Sequence, residues 1–237
     1  DKTLLIEELI GNNVQVALLP RPRRFGKTLN LSMLRYFFEK PEKDTSYLFK
    51  GLKIWKNAQC RALQGKFPVI FLTFKDIKYS SWEEAFAAFR QLLSEEFQRH
   101  RYLLESEVLT VEEREDFLTI LKKQADVALY AASLRLLSQW LTLYHKQPVV
   151  LLIDEYDTPA QAAYLCDYYD PLIGFLRNLL SSYLKDNPHL QLGVLTGILR
   201  IAKESIFSGL NNVTTFTLLH DEFSDKFGLL ESEVVEL

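Results

Sequence analysis

The sequence predicts an α/β three-layer sandwich with a mainly parallel sheet, and three observations predict it. Short apolar runs at Val14–Leu19, Phe67–Phe74, Val149–Ile153 and Leu190–Gly197 alternate with amphipathic stretches of helical period. Gly26-Lys27-Thr28 falls between the first run and the helix after it. The third run is apolar at every position and ends on Asp154-Glu155, as a strand buried on both faces of a parallel sheet would.

In chain order, residues 2–10 form a short helix carrying Leu4, Leu5, Ile6 and Leu9 on one side. The first strand follows over 14–19. Beyond Thr28, the residues Leu29, Leu31, Leu34, Phe37 and Phe38 recur at near-helical spacing, and the helix should stop before Pro41. In the strand at 67–74, Pro68 is tolerated only at the start, where its missing N–H breaks no ladder. The stretch 75–148 then reads almost wholly as helix, too long for a simple crossover. Ser81 with Glu84 and Thr110 with Glu113 are capping-box pairs, opening helices to about His100 and Gln124. A third helix, about 127–146, carries Leu134, Leu137, Leu141 and Tyr144 along one face. This insertion reads as a helical subdomain or a partner surface, although such stripes are more often core. Helices at 159–168 and 172–185, a turn at 185–188, a strand at 190–197 and a short helix at 200–207 follow. The run 213–219 is β-rich, and helical signal resumes near Asp221. The domain reading is therefore 1–220, with 221–237 as the start of a C-terminal helical segment.

Triphosphates carry dense negative charge. A loop that binds them turns backbone N–H groups inward and opens onto a helix N-terminus, where the dipole favours anions. Residues 21–28 match the pattern GxxxxGKS/T except that Arg21 stands at the first glycine. Gly26 can adopt the backbone such a loop needs. Lys27 would reach the β- and γ-phosphates, and the Thr28 hydroxyl would take one Mg²⁺ position. Phe25 and Leu29 flank these residues and belong to the same candidate nucleotide-binding set, Arg21 to Leu29. An arginine at position 21 gives the entrance a different shape, and Pro22 pushes it toward extended geometry. Arg21, Arg23 and Arg24 either add phosphate contacts or form a basic loop packed on an acidic neighbour.

The second half of the site is the strand ending in Asp154-Glu155. Open α/β sheets place ligands at the carboxyl ends of their strands. There Asp154 would hold Mg²⁺, directly or through water, and Glu155 would polarise the attacking water. The second carboxylate tilts the reading toward hydrolysis rather than passive binding. Asp157 fits an N-cap better than a ligand. Thr196, near the end of the next strand, is placed to sense the γ-phosphate, and Arg200 follows four residues later.

These segments resemble the bacterial AAA-ATPase-like proteins, whose longer members often carry a PD-(D/E)XK nuclease-like domain after the ATPase. The matching stretches are Asp1–Ile6, Arg21–Leu34, Phe49–Trp55, Phe67–Leu72, Leu152–Pro159 and Gly193–Asn212, so the resemblance covers essentially the whole chain. Arg21 is itself part of the family pattern. The resemblance implies a three-layer P-loop fold of the ASCE type with Walker A and Walker B segments. It also implies ATP as the nucleotide, and a strand order 5-1-4-3-2 in which the Asp154 strand is not adjacent to the Lys27 loop strand. The nuclease-like domain would lie beyond Leu237. Residues Asp1–Thr3 precede the first strand, where related ATPases contact adenine.

Composition bounds the rest. At 48% hydrophobic and 25% charged, the 237-residue chain is ordinary for a globular protein, and a net charge of −3 carries no global nucleic-acid signal. Direct nucleic-acid binding stays open only through a local basic groove. Cys60 and Cys166 are too few for a disulfide framework or a cysteine zinc site, which suits a reducing cytoplasm. His100, His145, His189 and His220 have no metal-ligand spacing. No apolar run approaches the ~18–20 residues of a membrane span. The chain begins at Asp1 with Met33 as its single methionine and ends in what reads as an interrupted helix, so a longer protein is expected. The leading expectation is a Mg²⁺-dependent ATPase coupling nucleotide state to a partner or effector domain. The alternative is a non-hydrolysing nucleotide-dependent interaction module. A P-loop kinase ranks below both, because no acceptor site is evident. Some P-loop ATPases take an arginine from a neighbouring subunit; a homo-oligomer with Arg200 in that role is the corresponding expectation.

Overall fold

A computed structural model describes residues 1–12, 14–198, 206–207 and 210–235. The elements run α1 (Leu4–Gly11), β1 (Val16–Pro20), α2 (Lys27–Phe38), α3 (Ala58–Leu63), β2 (Val69–Thr73) and α4 (Trp82–Arg99). They continue as α5 (Val111–Leu121), α6 (Val127–His145), β3 (Val149–Asp154), α7 (Thr158–Leu165) and α8 (Tyr169–Leu184), then β4 (Leu190–Gly197), β5 (Val213–Thr215) and α9 (Glu231–Val235). The strands form one sheet in the order β2-β3-β4-β1-β5, and each neighbouring pair is parallel. This is the predicted three-layer α/β architecture, with β4 lying between β3 and β1.

Alternation along each strand divides the core between two faces. Ala17, Leu19, Val150, Leu152 and Val194 point into the cluster made with Leu31, Leu34 and Phe37 of α2 and Leu5, Ile6 and Leu9 of α1. Val16, Leu18, Leu151, Ile153 and Leu195 point the other way, into a larger cluster. That second cluster absorbs the long helical insertion. Ala85, Phe89, Leu93 and Phe97 recur every four residues on α4, and all are buried. Phe117 of α5 sits between Phe97 and Trp140, with ring centroids 4.9 and 5.8 Å away. The buried faces of these helices thus share one hydrophobic cluster with that face of the sheet.

The helix starts follow their caps. Thr110 closes a full capping box with Glu113, whose other carboxylate oxygen accepts from the Trp140 indole at 2.9 Å. At α4 the box is displaced by one residue. The Ser81 side chain accepts from Glu84 N, but Glu84 reaches back to Ser80 N rather than Ser81 N.

Two expectations change. The β-rich run 213–219 pairs only over Val213–Thr215. The helix expected from Asp221 is replaced by turns up to Glu231, because Phe223 (φ 59°) and Gly228 (φ 70°) take left-handed conformations that interrupt a helix. The short helix expected at 200–207 falls largely outside the described residues. Cys60 is buried and Cys166 exposed, both as free thiols. Among the described residues no helix is long and apolar enough to cross a membrane.

Candidate nucleotide site

β1 ends at Pro20 and the chain reaches α2 through residues 21–26. Arg24 (φ 66°) and Gly26 (φ 73°) both take left-handed backbone, which coils the loop over the helix N-terminus. Glycine does this freely, whereas for an arginine it costs about 1–2 kcal/mol. Lys27 opens the helix, nearly buried, and its ammonium donates to the carbonyls of Arg21 (3.1 Å) and Pro22 (2.8 Å). Burial lowers its pKa, while Glu155, Asp154 and Asp157 pull it back up.

Below the loop, Asp154 ends β3 almost fully buried. One carboxylate oxygen accepts from the Thr28 hydroxyl at 2.6 Å and the other from the Thr196 hydroxyl at 2.7 Å. The geometry follows from alternation. Asp154 shares a face with Val150 and Leu152, and Thr196 shares it with Leu192 and Val194, the face that α2 covers.

Glu155 turns out of the strand with φ 52°, a strained conformation for a non-glycine residue. Its carboxylate accepts from the Thr158 hydroxyl at 3.1 Å. It borders an open cavity of ≈ 530 Å³ lined by Arg23, Arg24, Gly26, Lys27, Thr28, Leu29 and Glu155.

The turn after β3 is bonded to the end of β4. Tyr156 N donates to Thr196 O (3.0 Å) and Ile198 N to the Asp157 carboxylate (3.0 Å). A Cβ on Gly197 would lie 2.5 Å from Asp157 Oδ1 and 2.7 Å from the Tyr156 ring, so only glycine permits this approach.

The family model described as "Predicted AAA-ATPase" matches residues 1–207. The chain belongs to the AAA-ATPase-like family. A relative from Azotobacter chroococcum mcd 1, an uncharacterized protein in the vnfD 5' region, is 27% identical over 242 residues, covering 99% of this chain and 40% of the relative. The chain therefore spans about two-fifths of that protein's length. No solved structure matches it.

In this AAA-ATPase-like chain, the residues singled out from sequence fall into three groups. Arg23, Arg24, Gly26, Lys27, Thr28, Leu29 and Glu155 line one cavity. Asp154 and Thr196 lie beneath it, joined to Thr28 through hydrogen bonds. Arg21 and Phe25 point elsewhere. Arg21 continues the alternation of Ala17 and Leu19 onto the α2 face and is 1% exposed, so its side chain is no phosphate ligand in this conformation. Phe25 packs in the same cluster, and its carbonyl accepts from Gly228 N at 3.1 Å. Arg200 lies outside the described residues. Asp1 and Thr3 bind the backbone of Lys53 and Ile54.

The reading of Asp157 as a helix cap is revised. It stands at the N-cap of α7 without a side-chain cap bond, fully buried, and its carboxylate binds Ile198 N and Gln161 Nε2 instead. The sequence signal was the proximity of Gly197 to the end of a strand, which has meaning only once β3 and β4 are paired.

Proposed function

We propose that the chain binds ATP with Mg²⁺ in the cavity over α2 and hydrolyses it, coupling nucleotide state to an attached effector domain or partner. The observation that carries this reading is the chain Thr28–Asp154–Thr196, with both hydroxyls 2.6–2.7 Å from one buried carboxylate directly below Lys27.

The donor set fits the metal. Mg²⁺ takes hard oxygen ligands and is commonly held by one or two carboxylates together with substrate phosphates and waters. Thr28 and Asp154 supply a hydroxyl and a carboxylate at the mouth of the helix. Among the described residues no group of three or more His, Cys, Asp or Glu gathers for a metal, and a site completed by phosphates needs none. When bound, the ion would neutralise charge between the phosphates.

The protein's part is positioning and proton handling. The α2 N-terminus and the Gly26 loop offer backbone N–H groups to phosphate. Lys27 exchanges two carbonyls for phosphate oxygens, and the anionic ligand restores the charged form that burial disfavours. Arg23 and Arg24 are exposed at the rim, free to turn toward the triphosphate. Glu155 leaves Thr158 and accepts a proton from the attacking water as the water oxygen bonds to the γ-phosphorus and the bond from that phosphorus to the β,γ-bridging oxygen breaks, leaving ADP and phosphate. Thr196 is already aligned by Asp154 to hold the γ-phosphate side of that geometry.

The test is Mg²⁺-dependent phosphate release measured beside nucleotide binding for wild type, Lys27→Ala and Glu155→Gln. The expected pattern is loss of binding in the first variant, and retained binding with about 10²–10⁴-fold slower turnover in the second. Wild-type turnover in Glu155→Gln would remove Glu155 as the base. Tight ATP binding without turnover in the wild type would favour a non-hydrolysing switch.

A further inference from the structure

Arg21 occupies the place where a glycine would open the loop, and its contacts give it a different task. Its guanidinium donates to Pro20 O (2.9 Å) and Phe216 O (2.6 Å) from one terminal nitrogen and to Phe223 O (3.3 Å) from the other. It also lies 4.8 Å from the centre of the Phe227 ring. Three of these four partners belong to residues 216–228, a strap without regular structure that crosses the back of the loop.

The strap is fastened along its length. Phe223 N donates to the Glu8 carboxylate at 2.7 Å, and Lys226 pairs with the same glutamate at 3.2 Å. Asn30, in the first turn of α2, donates to Lys226 O at 2.9 Å, and Gly228 N donates to Phe25 O at 3.1 Å. A Cβ on Gly228 would meet the Phe25 ring at 3.2 Å, so the strap lies flush against the loop.

The two ends of Arg21 thus serve different partners. Its main-chain carbonyl is held by Lys27, and its side chain holds the strap. Lys27 has one ammonium and two competing sets of acceptors: the carbonyls of Arg21 and Pro22, or the phosphates of a nucleotide. A conformational equilibrium shifts only when a ligand interacts differently with its two states, and this exchange of partners is such a difference.

We propose that Arg21 is a positioning residue that couples the phosphate-binding lysine to the 216–228 strap, so that nucleotide binding changes how firmly the strap is docked. The inference rests on the ATP reading above and names the element through which that site would act. Phosphate draws Lys27 off the Arg21 and Pro22 carbonyls, the loop mouth relaxes, and the guanidinium loosens its hold on the carbonyls of Phe216 and Phe223. Reciprocity requires that loosening the strap in turn alter nucleotide affinity.

The experiment is hydrogen exchange at the Phe223 and Gly228 amides of the whole chain, with amides of β3 and α8 as controls for global opening. Binding of the non-hydrolysable analogue AMP-PNP with Mg²⁺ is measured in parallel. In the wild type the analogue should speed exchange at both strap amides about fivefold to tenfold, the size of one lost hydrogen bond, and leave the controls unchanged. Arg21→Lys cannot span three carbonyls and a ring, so it should bind the analogue with no strap response. A wild type that binds the analogue with an unchanged strap, or an Arg21→Lys that keeps the response, overturns the coupling while leaving the ATP site standing. If the wild type binds no analogue, the ATP reading fails, and Lys27→Met without nucleotide decides the coupling. Faster exchange at the strap amides than at the controls supports it, and equal change throughout overturns it.

Discussion

The Thr28 hydroxyl and the Asp154 carboxylate lie 2.6 Å apart although 126 positions separate them in the chain. One opens a helix and the other ends a strand, and parallel pairing through β4 brings them under the same loop. Because Thr196 binds the second oxygen of that carboxylate, Asp154 aligns two hydroxyls at once. Asp154→Asn keeps the volume but replaces one acceptor with a donor, so one hydroxyl must turn away. Turnover should fall about 10²–10³-fold, the scale of removing one preorganised polar group, with a smaller effect on nucleotide affinity in the absence of Mg²⁺. Steady-state kinetics beside metal-free binding measure both. An equal loss in the two assays would mean that the carboxylate acts only on folding.

Gly197→Ala tests the contact between the turn after β3 and the end of β4. The added methyl meets Asp157 and Tyr156 at distances that real Cβ atoms do not show, and neither neighbour is the free end of a flexible chain. The expected cost is about 1–3 kcal/mol, read as a lower denaturation midpoint at unchanged m-value. An unshifted midpoint would mean that the turn has room to move.

Phe97→Ala tests whether the insertion belongs to the core. The ring is fully buried and contacts both Phe117 and Trp140. Truncation should cost about 3–5 kcal/mol, the range for a large aromatic in a packed interior. A single unfolding transition should persist, since α4 to α6 share a cluster with the sheet. Two separate transitions would instead make the insertion an independent unit.

His145 gives the fold a pH dependence. Burial, with Lys40 and His100 nearby, lowers its pKa from 6.5 to about 4, and its Nε2 lies 2.8 Å from the Tyr102 hydroxyl. The unfolded chain therefore binds this proton more readily than the folded one. The stabilisation is complete above pH 6.5, declines as pH falls below it, and is gone by about pH 4. Denaturation of wild type and His145→Gln across that window checks the sign. The variant should show a shallower loss of stability toward acid, and parallel curves would assign the dependence to other groups.

Much of the site can be read from the residues because its chemistry is local. Gly26-Lys27-Thr28 needs only a strand before it and a helix after it, and Asp154-Glu155 needs only a buried strand to emerge from. The alternation and apolar runs likewise determine the layers of the fold. Arg21 misleads for a definite reason. A cation next to the lysine of a Gly-Lys-Thr loop resembles a ligand in one dimension, and only the pairing of Arg21 N with Gly197 O carries the ladder on and turns the side chain inward. Asp157 misleads similarly, since its partner Ile198 lies at the end of another strand. The turns at 221–230 replace an expected helix because what holds them lies far away in sequence, on Glu8, Arg21, Phe25 and Asn30. The sequence by itself determined which residues carry charge, hydroxyl or conformational freedom, and which segments bury a face. Tertiary structure alone decided which of those groups share a carboxylate, which arginines line the cavity and which segment docks on the loop. Those outcomes depend on strand order and on close approach between segments far apart in the chain, and no local pattern encodes either.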